Sequence, residues 1–144
     1  MDKIRLRNAE KKYCDILFTM ICDLENYSFD KKKFKSLCSV NLSNPNIHYI
    51  IAEIDGKVIG FAGLHIQKIF HHCGKVAEVQ EIYIDPSFRN KKIGNLLLQH
   101  LKKIANKNRC KMFEVASNIN RTNAHRFYEQ VGLIKTHYKF TDVL

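Results

Sequence analysis

Apolar residues fall along this chain in two rhythms. Ile4 and Leu6 alternate with charged residues between Lys3 and Arg7, a period of two that predicts a short strand. Tyr13, Ile16, Leu17, Met20, Ile21 and Leu24 then recur at helical spacing. Phe34, Leu37, Cys38 and Leu42 do the same after Asp30, a residue suited to capping a helix N-terminus, and Asn44-Pro45 stops that helix. His48 to Ile54 and Lys57 to Gln67 are rich in strand-forming residues, and Asp55-Gly56 between them is a hairpin signal. Lys75 to Asp85 predicts another strand, ended by Pro86. Ile93, Leu96, Leu97, Leu101 and Ile104 mark a helix, Met112 to Ala116 a short strand. Ala124, Phe127, Tyr128 and Val131 share a last helical face closed by Gly132, and Ile134 to Phe140 alternates as a final strand. The order β-α-α-β-β-β-α-β-α-β predicts an α/β fold, a mixed central sheet flanked by helices.

Length and composition narrow this without changing it. With 144 residues, 45% hydrophobic and 26% charged, the chain reads as one globular domain over 1–144. No apolar run approaches the ~18 residues that span a bilayer, and the start MDKIRLRNAEKK lacks the apolar core of a signal peptide. The five cysteines are scattered, odd in number and free of a CxxC pair, which predicts a reduced, cytoplasmic chain rather than a disulfide scaffold or zinc ribbon. The net charge of +10 suits either plain solubility or an anionic partner: nucleic acid, acidic membrane or a phosphate-bearing ligand.

The segment Ile82 to Leu97, IYIDPSFRNKKIGNLL, runs from a strand through a basic turn into a helix. The first turn of a helix presents unpaired backbone N–H groups and partial positive charge, so it suits phosphate or pyrophosphate. Arg89, Lys91 and Lys92 add charge there, and Gly94 permits close approach to the backbone. Read alone, the same turn is also an ordinary solvated helix start.

This segment resembles the pyrophosphate loop Q/R-x-x-G-x-G/A of the GNAT superfamily, the Gcn5-related N-acetyltransferases. Arg89 and Gly94 match its outer positions, while Lys92 stands where the pattern has its first glycine. The stretch Asn123 to Leu133, NAHRFYEQVGL, is similar to the family's N-x-x-A/A-x-x-F-Y-x-x-x-G-F element, with Leu133 for the final Phe. His48 to Gln67, His71-His72, Ala77 to Glu81 and Ala124 to Thr141 look further like bacterial aminoalkylphosphonate N-acetyltransferases. The resemblance implies acetyl-CoA as cosubstrate and the primary amine of a small molecule as acceptor, an aminoalkylphosphonate first, with glucosamine-6-phosphate, a polyamine or a peptide amine as alternatives. It implies CoA contacts from the backbone of Ile82, Tyr83 and Ile84, from Arg89, Asn90, Lys91, Lys92, Ile93, Gly94 and Asn95, and from Asn118, Asn123 and Tyr128.

Acetyl transfer to an amine needs a base for the ammonium, of pKa near ~10.4, and an acid for the thiolate, of pKa about 8.5. The bases in view are Glu78 and Glu81, with Glu78 preferred and Glu81 able to bind the acceptor instead. Strict alternation puts the two on opposite faces; a bulge, which the resemblance implies, brings them together. Tyr128 is the acid that the resemblance implies, although on spacing alone it reads as core. His65, His71 and His72 are available to an acceptor's anion or stand as a solvated polar loop. A divalent metal is possible but unsupported, since adjacent histidines do not complete a ligand set, and no metal is assigned.

Two further readings stay open, a basic nucleic-acid-binding module and a CoA-binding sensor without catalysis. The basic residues are spread over every element rather than gathered on one face, so neither nucleic acid nor membrane is the expected partner. The expected assembly is a homodimer, because the 12 residues after Gly132 supply one strand and leave a bare sheet edge.

Overall fold

A computed structural model describes residues 3–144. The chain divides into two compact units, Met1–Glu114 and Val115–Leu144. The first contains β1 (Ile4–Asn8), α1 (Cys14–Glu25), α2 (Lys31–Leu42), β2 (Ile47–Ile54), β3 (Lys57–Ile69), β4 (Gly74–Ile84) and α3 (Ile93–Lys107). β5 (Met112–Val115) reaches the boundary, and the second unit holds α4 (Thr122–Gln130).

Local chemistry explains where these elements begin and end. The Asp30 carboxylate accepts a bond from the Lys33 N–H (2.9 Å), so α2 carries the expected N-cap. Asp55 and Gly56 both take left-handed φ (48° and 78°), the type I′ geometry that joins β2 to β3. After α4, Gly132 (φ 96°) lets its own N–H reach Glu129 O and the Leu133 N–H reach Tyr128 O, the paired bonds of a Schellman cap. Asn26 ends α1 in the same way.

The sheet runs β1-β2-β3-β4-β5, with antiparallel pairing from β1 through β4. On one face, Ile51, Phe61 and Tyr83 are buried against Cys14, Leu17 and Met20 of α1 and Cys38 of α2. On the other, Ala62, Leu64, Ala77 and Val79 are buried, and Ile93, Leu97, Leu98 and Leu101 of α3 cover that side. Fully burying one such aliphatic side chain stabilises by about 1.5–3 kcal/mol, so these two layers dominate folding of the unit. Leu37, expected inside, is 57% exposed.

Register carries the feature that matters most for function. Gly63 pairs with Glu81, but the next β3 residue, Leu64, pairs with Val79. Gln80 is therefore an extra residue, a β-bulge that resets the alternation of β4. Glu78, Glu81 and Tyr83 consequently share the face covered by α1 and α2, as the sequence anticipated for the two glutamates.

Two expectations fail. Ile134 to Phe140 is not a strand: residues 133–144 have no regular structure, and Ile134, Tyr138 and Phe140 are 83–92% exposed. Alternation tells which face a strand would show, but a strand also needs a ladder to bond its backbone, and none engages these residues. The cysteines are not all free either. Cys14 and Cys38 form a disulfide (Cα–Cα 6.2 Å) that ties α1 to α2, leaving Cys22, Cys73 and Cys110 as thiols. Sequence spacing gave no sign of it, because the packing of α1 against α2 creates the proximity. A loop of 24 residues closed by a disulfide is worth about 3 kcal/mol. Urea titrations with and without dithiothreitol should differ by about that amount; coincident curves would remove the staple.

Candidate active site

The site is built on β4. Glu81 extends from the far side of the bulge toward α1, and its Oε2 is buried without a hydrogen-bond partner among the described residues. Burial, reinforced by the charge of Glu25 at the end of α1, pushes its carboxyl up to about 7. The group is thus near half-ionised at neutral pH, a suitable poise for a general base. Tyr49 of β2 stands beside it with its hydroxyl accepting a bond from Asn41 Nδ2 of α2 (2.9 Å). The Tyr49 phenol is raised, mainly by burial, and stays protonated.

Glu78 occupies the same face in a different setting. It pairs across the ladder with His65, and its Oε1 accepts a bond from Gln80 Nε2 (2.8 Å). Burial lowers His65, with the Glu78 charge partly opposing that, so the imidazole is neutral at pH 7. Of the two carboxylates, only Glu81 combines burial with an unengaged oxygen. Glu81 and the expected base Glu78 therefore differ in the setting of their oxygens.

His71 and His72 do not join this cluster. They form a one-turn helix at the tip of the β3–β4 hairpin, and His72 faces Glu114 of β5 (Nε2–Oε2 3.9 Å). Seven residues of strand separate Gly74 from Glu81, about 23 Å at ~3.3 Å per residue. Of the three histidines singled out, His65 alone shares the Glu81 face. Among the described residues, no group of three His, Cys, Asp or Glu side chains is placed to hold a metal.

The basic turn between β4 and α3 has the predicted strand–turn–helix order. Asp85 caps a short turn through Pro86–Phe88, and the chain then enters α3 through two left-handed residues, Asn90 (φ 63°) and Lys92 (φ 64°). Lys92, which stands where the family pattern has glycine, adopts the conformation that glycine favours. The Leu96 N–H closes the first helical bond onto Lys92 O, so the N–H groups of Ile93, Gly94 and Asn95 precede it. Arg89 donates from Nε to Ile84 O (2.9 Å) and lies over the Tyr83 ring, while Lys91 lies over Phe88. These donors and cations fit a pyrophosphate. Tyr83 points its side chain toward α1 and donates its hydroxyl to Asp23; burial and that carboxylate push the phenol up to about 12.

In the second unit, Tyr128 is buried on α4, and burial raises its phenol, so it is a protonated donor. Asn118 makes a local turn, its Oδ1 accepting from the Asn120 N–H (2.9 Å). Asn123 lies exposed in the first turn of α4. Sequence reasoning passed over Asn41, Tyr49, Gly63, Asp23 and Glu25. Only Gly63 left a mark, as an isolated glycine inside a strand.

Comparison with known proteins fits this geometry. Residues 12–133 match the acetyltransferase (GNAT) family, and the chain belongs to it. It is 35% identical to an aminoalkylphosphonate N-acetyltransferase of Salmonella typhimurium, over 100% of this chain and 94% of that protein. A glucosamine 6-phosphate N-acetyltransferase of Candida albicans is 29% identical over 90% of this chain and 85% of its own length. The fold is similar to a solved aminoglycoside N-acetyltransferase in complex with CoA, with a TM-score of 0.90 over 100% of this chain and 96% of that one, at 17% identity. The chain is an N-acetyltransferase, with acetyl-CoA as cosubstrate. No helix among the described residues is long and apolar enough to cross a membrane.

Lys92 separates conformation from charge. Lys92→Gly should keep stability within about 0.5 kcal/mol, because relief of left-handed strain offsets the added chain entropy. It should weaken CoA binding roughly three- to tenfold through the lost cation. Calorimetry showing unchanged CoA affinity would leave the lysine without a role in the phosphate turn.

Proposed function

We propose that this acetyltransferase acylates the primary amine of a small aminoalkylphosphonate, with Glu81 as base. The buried, unengaged Glu81 carboxylate carries the catalytic reading, and full-length similarity to an aminoalkylphosphonate N-acetyltransferase supports the acceptor. Acetyl-CoA supplies the thioester carbonyl that the amine attacks. An alkylammonium of pKa near ~10.4 stands about three units above Glu81, so proton transfer costs on the order of 4–5 kcal/mol, which leaves it accessible. Glu81 takes that proton directly or through water. We assign the proton for the departing thiolate to the buried Tyr128 hydroxyl, in line with the family motif around it. His65, neutral and on the Glu81 face, is assigned to the acceptor's anionic group, and Glu78 orients it across the ladder. The turn Arg89–Asn95 and the backbone of Ile82–Ile84 are assigned to the cofactor's pyrophosphate and pantetheine, and Asn123 is assigned to the cofactor on the family motif it matches.

Glucosamine 6-phosphate is the second acceptor to test, favoured by the Candida relative. Both acceptors join an amine to a phosphorus oxyanion, which suits a chain of charge +10 better than a polyamine does. We read the whole chain as one catalytic domain, since the family match crosses from the first unit into the second. We further propose a homodimer. Ile134, Tyr138, Phe140 and Val143 leave an apolar tail in solvent, an arrangement that favours cover by a second copy.

Thiol release from acetyl-CoA against a panel of amines should favour aminoalkylphosphonates over their phosphorus-free amines; equal rates would overturn the acceptor assignment. Glu81→Gln should lower kcat about 10²–10⁴-fold and remove the rise of kcat/KM with pH through about 7. The same variant should gain stability. A carboxyl raised in the folded state favours folding fully below its unfolded pKa, and that contribution is lost as pH climbs through about 7. From 4.5 to about 7, the loss is on the order of 3 kcal/mol at pH 8, which the neutral amide escapes. Light scattering should show a dimer for the full chain and a monomer when the chain ends at Leu133; a full chain monomeric at high concentration ends the assembly proposal.

A further inference from the structure

The Glu81 carboxylate occupies a space that exists only because residue 63 has no side chain. A Cβ built on Gly63 would lie 2.6 Å from Glu81 Oε2, 2.9 Å from Tyr49 Cε1 and 3.1 Å from Tyr49 Cδ1. At 2.6 and 2.9 Å something must shift: the carboxylate end can swing aside, whereas the ring is anchored at its hydroxyl. Carboxylate oxygen and ring edge therefore meet above one glycine Cα. Gly63 is also the β3 residue paired with Glu81, at the step where the bulge begins. Its conformation is ordinary strand, so what calls for glycine here is space rather than φ.

Tyr49 closes the other side. The ring is held at its far end by Asn41 of α2, which donates to the hydroxyl, and stands edge-on to His65 at 6.5 Å between centroids. One oxygen of Glu81 is left under this wall, shielded from water and bonded to nothing among the described residues. We propose that Gly63 and Tyr49 are positioning residues for the acetyl-transfer reaction. In this arrangement the glycine leaves the void in which the Glu81 carboxylate sits, and the Asn41-anchored ring seals that void from water. The proposal rests on Glu81 being the base, and neither residue touches the reacting atoms. The charge acting on the carboxylate is Glu25 from α1, and Tyr49 from β2 stands against it; His65 from β3 and Glu78 and Tyr83 on its own strand share its sheet face, Tyr83 bonded to Asp23 of α1, and α2 brings the neutral Asn41.

Gly63→Ala must push either the carboxylate or the ring aside. A base misplaced by about 1 Å loses on the order of 10- to 100-fold in kcat, while KM for acetyl-CoA, set largely at the phosphate turn, changes less than about twofold. Pushed toward water, the carboxyl ionises more easily. The rise of kcat/KM with pH should then move down by roughly one unit. Tyr49→Phe and Asn41→Ala release the ring from its anchor without adding bulk, and should shift that rise in the same direction by about half as much. Circular dichroism checks the fold of each variant, and if Gly63→Ala does not fold, the two anchor variants decide.

Glu81→Gln runs alongside. If it retains the pH-dependent rise, Glu81 is not the base, and the positioning proposal falls with that reading. If it abolishes the rise while Gly63→Ala and the anchor variants keep the parent pH profile, the base assignment stands and the positioning proposal is overturned. A drop in kcat with an unmoved profile marks a merely structural glycine and overturns it equally.

Discussion

Side chains alternate along a strand with period two, so residues three apart belong on opposite faces. Glu78 and Glu81 escape this because Gln80 has no partner across the ladder to β3. That single unpaired residue lets Val79 and Ala77 stay in the core beneath α3 while Glu81 and Tyr83 face α1 and α2. Without the bulge, one half of β4 would have to turn apolar side chains out and a carboxylate into the α3 layer. The core and the site are therefore fixed by the same irregularity, as is usual where bulges border active sites.

The location of Glu81 opposes stability. A half-sealed carboxylate with an unengaged oxygen costs more the more fully it ionises, and the raised pKa expresses that cost. The surrounding residues hold the cost in place instead of relieving it. Glu25 adds like charge, the Tyr49 ring excludes water, and Gly63 offers no side chain to donate a bond. Glu78 differs in that one of its oxygens accepts a bond from Gln80.

Elements written in local chemistry were legible in the sequence. Asp55-Gly56 forces a hairpin, Asp30 caps α2 and Gly132 closes α4, whatever the rest of the chain does. The phosphate turn was legible through its cations and the helix behind it. Features that depend on what lies across a gap were not. The alternation of Ile134 to Phe140 describes a strand in search of a ladder, and the tail is exposed. Cys14 and Cys38 meet only because α1 packs on α2. His71 and His72 looked like site residues because they are adjacent and polar, yet hairpin length carries them to the tip. Asn41 and Tyr49 are unremarkable in sequence, and gain meaning only when α2 lies over β2.

Tyr83 connects the two halves of the chemistry within the first unit. Its hydroxyl is bonded to Asp23 in the last turn of α1, two residues before Glu25, whose charge acts on Glu81. Its ring lies under the Arg89 guanidinium, and Arg89 is tied back to Ile84 O. The strand that carries Glu81 thus also carries the ring beneath Arg89, and Glu81 and Tyr83, two residues apart, lie on the same face by ordinary alternation. A tilt of α1 that moved Asp23 would disturb Tyr83 and Arg89 together, and would carry Glu25 with it. Glu81 and the ring beneath Arg89 are held by one strand rather than by separate loops, the kind of support that keeps side chains within a fraction of an ångström of one geometry.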